Sequence, residues 1–148
     1  MQSKKRIFSV RWKLPIFLVL TLSILSCDDA ESREQLAALH KLAADTPIFV
    51  DFKEVRSYDS NKPNHARFSK CYNSSANYNE VKSFYSETLT ARGWSLPEET
   101  TVYGSFGFEE KKDSRDLIFR KAKYSIAIAY GPKDSSGCNY AISYIWEE

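Results

Sequence analysis

The sequence predicts an α+β fold, an antiparallel β-sheet of about five to six strands covered by one or two α-helices. Three observations carry that expectation. The chain has 148 residues, 43% apolar and 14% aromatic, which is enough for one globular core and hardly for two. Two stretches show helical periodicity behind capping residues, and several others alternate apolar and polar side chains. The turns between the alternating stretches are short, and short connections make neighbouring strands antiparallel.

The elements follow in chain order. Residues 1–26 stand apart: Lys4, Lys5, Arg6, Arg11 and Lys13 form a basic start without acids, and 13 uncharged residues follow at 14–26. That run suits the apolar region of an export signal and is too short for a bilayer, which needs about 20 helical residues. An uncleaved anchor extended back to Ile7 would place Arg11 and Lys13 in hydrocarbon at substantial cost. Residues 28–35 are polar and read as the start of a tether. Ser32 with Gln35 predicts a capping box, and Leu36, Leu39 and Ala43 a narrow apolar stripe on a helix that Pro47 ends. Residues 48–52 alternate as a strand, and residues 59–64 have the composition of a turn. Ala66, Phe68 and Tyr72 share one face of the next strand.

The second helix is the best-defined element. Asn77 caps it, Glu80 completes the box, and Val81, Phe84 or Tyr85, and Leu89 form its stripe. Gly93 sits where a left-handed residue ends a helix, with Trp94 as a lid. Val102, Gly104, Phe106 and Phe108 alternate, residues 117–120 form a short run, and Tyr124, Ile126, Ile128 and Tyr130 alternate strictly. A turn falls at 121–123 and another at 131–137, before Tyr140, Ile142, Tyr144 and Trp146. The expected organisation is a signal peptide at 1–26, a tether with the first helix at 27–47, and a single α+β domain at 48–148.

At the leader's end, Ile24-Leu25-Ser26-Cys27 resembles the lipobox of bacterial lipoproteins: aliphatic, tolerant, small, then Cys. Ordinary signal peptidase favours small residues at −3 and −1, and a cut after Ser26 puts Ile24 at −3. The resemblance implies that the Cys27 thiol receives diacylglycerol, that the peptide is cut before it, and that the new amine is acylated. Several acyl chains on one residue give stable anchoring. Asp28 resembles an inner-membrane retention signal of enteric bacteria, a rule that varies between lineages, so the choice of membrane stays open. The run Phe84-Tyr85 to Leu89 to Gly93-Trp94, then Tyr124 to Tyr130, resembles a pattern in small exported bacterial domains that carries no activity with it.

Charge narrows the partners. The net +2 belongs to the leader, because from Cys27 onward 16 cations face 19 acids. A mildly acidic domain lacks the clustered basic face that nucleic acid requires. With Cys27 committed to lipid, Cys71 and Cys138 remain as an even pair, which reads as a disulfide in an oxidising envelope. Neither has a second Cys or His at metal-ligand spacing, and no cofactor motif is present.

Catalysis finds little support. His40 reads as a surface or packing residue, and His65 would lie roughly 20 Å from Cys71 along one strand. Ser105 lacks the glycine two residues before it that a nucleophile elbow carries, since Tyr103 stands there. Glu98-Glu99 and Glu109-Glu110 read as solvated rims, since neighbours on a strand point to opposite faces. What stands out is the aromatic content, three Trp, nine Tyr and nine Phe. Tyrosine has an apolar face and a hydroxyl, which suits interfaces and sugar stacking as well as cores. The expectation is a membrane-anchored envelope lipoprotein facing the periplasm or extracytoplasmic side. Its domain would bind or scaffold an envelope protein or glycan without catalysis, with Tyr103, Tyr130 and Tyr144 as contacts. The alternative is an envelope hydrolase acting on peptidoglycan or glycan through a carboxylate pair.

Overall fold

The computed structural model describes residues 27–101 and 114–148. The leader, the alternating run at 102–108, Tyr103, Ser105 and Glu109-Glu110 lie outside the described residues. The elements are α1 (Cys27–Asp45), β1 (Lys53–Lys62), β2 (His65–Asn73), α2 (Tyr78–Thr90), β3 (Glu98–Thr100), β4 (Arg115–Lys121), β5 (Tyr124–Tyr130) and β6 (Tyr140–Glu147). The strands form one antiparallel sheet in the order β1-β2-β6-β5-β4-β3. A hairpin and a four-strand meander are thus joined by α2, and the last strand closes the seam beside β2. This is the predicted α+β architecture.

Two helix starts contrast. At α2 the box forms as expected: the Asn77 side chain accepts from the Glu80 N–H at 3.0 Å, and Glu80 accepts from the Asn77 N–H at 3.2 Å. At α1 it does not. The helix already runs from Cys27, so Ser32 lies inside it and is buried. The segment expected as a tether is therefore helical, with Glu31 as an acid near the helix start, where negative charge is favoured. Pro47 ends α1 as expected, and the Thr46 hydroxyl donates to the Leu42 carbonyl at 2.7 Å.

Residues 48–52 are not a strand. The Phe52 N–H donates to the Phe49 carbonyl at 2.9 Å, closing a turn that aims both rings inward and leaves Val50 94% exposed. Phe52 packs on Tyr72 and Tyr140, and Phe49 meets Phe84 edge-on. The strand starts at Lys53 and runs to Lys62, so the expected turn at 59–64 contracts to Pro63-Asn64, with Asn64 at φ 59°. At the end of α2, Gly93 takes φ 79° and lets the Trp94 N–H reach the Leu89 carbonyl at 3.1 Å.

Register sorts the strand side chains into two faces. One row aligns Phe68, Tyr144, Ile126 and Phe119, and the next but one aligns Tyr72, Tyr140 and Tyr130. Both described helices lie on this face, burying Leu39 and Ala43 of α1 and Val81, Tyr85 and Leu89 of α2 against it. The opposite face carries Ser69, Cys71, Ala127, Ala129, Ala141 and Ser143, all buried. There the Ser69 hydroxyl donates to Ser143 at 3.0 Å, and the Arg67 guanidinium donates to both serines.

Cys71 and Cys138 form a disulfide with their Cα atoms 5.9 Å apart. The loop before β6 is shaped around Asp134, whose carboxylate accepts from the N–H groups of Ser136 and Cys138 and from the Ser136 hydroxyl. Partial burial would raise its pKa. These bonds and the Arg56 ion pair outweigh that and hold the carboxyl below its usual range.

Candidate functional site

The expected tyrosine contacts separate. Tyr144 has no exposed surface: it lies in the core with Phe68 stacked against it. It is therefore corrected from a surface contact to a packing residue. Tyr103 lies outside the described residues. Tyr130 is half-buried and lines a cleft of about 380 Å³ together with Asn77, Tyr78, Asn79 and Arg115.

Secondary structure sets each wall. The capping box fixes the start of α2 and so places Asn77, Tyr78 and Asn79. Arg115 opens β4 and pairs in register with Tyr130, the last residue of β5. The Tyr78 and Tyr130 rings are 5.7 Å apart at 37°, and the Arg115 guanidinium lies 5.3 Å from the Tyr78 ring centre. Behind Tyr130 stands Tyr140, 5.0 Å away, whose hydroxyl donates to the Ala76 carbonyl at 3.0 Å. That bond fixes the ring supporting Tyr130.

Glu99 organises the charges. It accepts from Lys82 of α2 and, at 3.1 Å, from Arg115. Lys82 first, then Arg115 and the Tyr78 hydroxyl, hold its carboxyl below the usual range against the opposing effect of partial burial. Burial pushes the Tyr78 hydroxyl up, helped by the Glu99 charge, so it stays protonated at neutral pH. Lys82 and Arg115 thus flank Glu99 beside the cleft, where Glu80 and Asp116 add two further acids. Two ring faces, a guanidinium and helix-terminal amides can hold a flat polar ligand by stacking and hydrogen bonding.

Of the adjacent acids, Glu109-Glu110 lie outside the described residues and Glu98-Glu99 diverge. Glu98 and Glu99 register opposite Ile118 and Leu117, on opposite faces, and Glu98 pairs with Arg120 at 3.2 Å. His40 packs on Phe68 at 4.0 Å and pairs with Asp59, and His65 lies 3.6 Å from Glu147. Among the described residues, the one cluster with metal-ligand spacing is Cys71, Asp134 and Cys138. The disulfide occupies both sulfurs, and loop hydrogen bonds occupy Asp134.

Tyr78 and Arg115 were not singled out by sequence reasoning, and Glu99 was read as a solvated rim, because three separate elements bring them together. The available signal was Tyr78 directly after the cap Asn77, a position fixed by the helix start. Among the described residues, no helix is long and apolar enough to cross a membrane. Compared with protein families, with curated proteins and with solved structures, the chain gives no match.

Proposed function

We propose that this chain is a lipid-anchored protein of the bacterial cell envelope that binds a glycan without transforming it. The observation that carries the binding reading is the Tyr78–Tyr130–Arg115 cleft, with ring faces for a sugar ring and fixed donors at its rim. The anchor reading rests on the basic leader, the 13-residue uncharged run and Ile24-Leu25-Ser26-Cys27. Helix α1 supports it geometrically: it starts at Cys27, and its later turns pack on the sheet. Acyl chains at Cys27 would therefore hold the domain close to the bilayer.

Full-length protein extracted from membranes should co-sediment with peptidoglycan sacculi. Tyr130→Ala and Arg115→Ala should each weaken that binding about tenfold, equivalent to about 1.4 kcal/mol. Mass spectrometry of the mature N-terminus should find a diacylglycerol-modified Cys27. No co-sedimentation, or binding by both variants as strong as that of the unsubstituted protein, would refute the glycan reading. An unmodified Cys27 would refute the anchor, and release of soluble glycan would replace binding with hydrolysis.

A further inference from the structure

A second concavity, of about 490 Å³, lies between α1 and the turn joining β4 to β5. Its volume falls within the range of small-molecule sites, roughly 300–1,000 Å³. Ala38 and Leu42 of α1 form one wall, and Trp94, Ala122 and Tyr124 form the other. The Trp94 indole forms part of the floor and is 9% exposed. The Tyr124 hydroxyl is turned away to Gln35 at 2.5 Å, which leaves its ring as lining. The surface inside the cleft is thus mostly hydrocarbon and aromatic.

The rim is cationic. Lys41 and Lys121 line it, and Arg92 reaches across to donate to the Asp45 carbonyl. Lys121 donates to the Arg92 carbonyl at 2.9 Å, which places its ammonium beside the cleft. The lining itself holds two cations, Lys41 and Lys121, against one acid, Asp45. An apolar trough under a positive rim complements a molecule with a tail and a negative head.

The turn completes the lining. Ala122 adopts φ 53°, a left-handed conformation in which glycine or asparagine is the ordinary residue. Its methyl group faces a strain penalty there and lines the cleft. The two-residue hairpin between β4 and β5 calls for a positive φ at its first residue, and so holds that methyl group at the cleft.

We infer that this cleft binds a single-chain anionic amphiphile, with its alkyl chain along Leu42, Trp94 and Tyr124 and its headgroup between Lys41 and Lys121. The site is separate from the tyrosine cleft and does not depend on the glycan reading.

The test uses the full chain in nanodiscs of zwitterionic lipid and a photoactivatable diazirine-bearing alkyl phosphate. Crosslinked peptides are mapped by mass spectrometry, with a diazirine alkyl alcohol of equal length as the neutral probe. Labelling should concentrate on residues 38–45, 94 and 121–124 and be competed by excess octyl phosphate. It should exceed labelling by the neutral probe severalfold and fall about tenfold in a Lys41→Gln, Lys121→Gln double variant. Ala122→Gly should raise the melting temperature while lowering labelling, a combination that a purely structural role for the methyl would not produce. Uniform labelling along the chain, equal labelling by the neutral probe, or no change in the lysine variant would overturn the inference.

Discussion

The two faces of the sheet solve the packing problem in opposite ways. Beneath the helices stand Phe68, Tyr72, Phe119, Tyr140, Ile142, Tyr144 and Trp146, large side chains that fill the space between two layers. On the reverse stand alanines, serines and Cys71, tied by hydroxyl bonds, a guanidinium and a disulfide. One face is stabilised by volume, the other by polar side-chain bonds and a covalent cross-link. The contrast teaches that a strand alternating large and small residues can be buried on both sides. Burial alone does not say which kind of contact holds it.

The largest expected effect comes from the large-residue face. Tyr144→Ala should open a cavity beneath α1 and destabilise the fold by about 3–5 kcal/mol, read by denaturant titration. A loss below about 1 kcal/mol would mean that α1 packs loosely and that volume does not hold this face. The disulfide is the matching test of the reverse face. It closes a loop of 67 residues, for which chain entropy gives about 4 kcal/mol. Cys71→Ser should lower the melting temperature by many degrees, and thiol titration of the non-reduced protein should find neither Cys71 nor Cys138 free. A third variant sharpens the contrast: Ala127→Leu adds bulk where the sheet carries small residues. It should cost about 1–3 kcal/mol through overpacking, whereas an unchanged melting curve would show spare room there.

Smaller effects sit at the boundary between helix layer and sheet. Asn77→Ala removes the cap of α2 and should cost about 1 kcal/mol, while blunting glycan co-sedimentation because Tyr78 follows directly. At the other rim, Asp51 accepts from the Ser74 hydroxyl and from the N–H and hydroxyl of Ser75, which lowers its pKa from the ordinary 3.8 to about 2. Between those values the unfolded chain binds more protons than the folded one. Its contribution is therefore fully present above about pH 4 and lost as pH falls through about 2. Asp51→Asn should flatten the acid side of the stability profile, and unchanged acid sensitivity would assign that sensitivity to other carboxylates.

The fold class was legible because each element carried its own signal: Asn77 with Glu80, Gly93 after the second helix, and strict alternation from Tyr124 to Tyr130. The failures came where local pattern met tertiary context. Phe49 and Phe52 reach the core from a turn, although their neighbourhood alternates like a strand. Ser32 and Gln35 have the spacing of a capping box inside a helix that had already started at Cys27. The site was legible only in part. Tyr130 and Tyr144 share one periodicity and one sheet face, yet one lines a cleft and the other is sealed under α1. That outcome depends on which row of the sheet each occupies, and rows follow from strand pairing, which no single strand encodes.

Strand β1 has a consequence for the protein in company. It is ten residues long and lies at the sheet edge, a template to which a strand of another chain could add. Lys53, Glu54, Arg56, Asp59 and Lys62 stud that strand, and its pairing slips at Val55. An incoming strand would meet a charged, kinked ribbon and could not keep register along its length. Copies of this chain can therefore crowd against one another along β1 without their sheets fusing there.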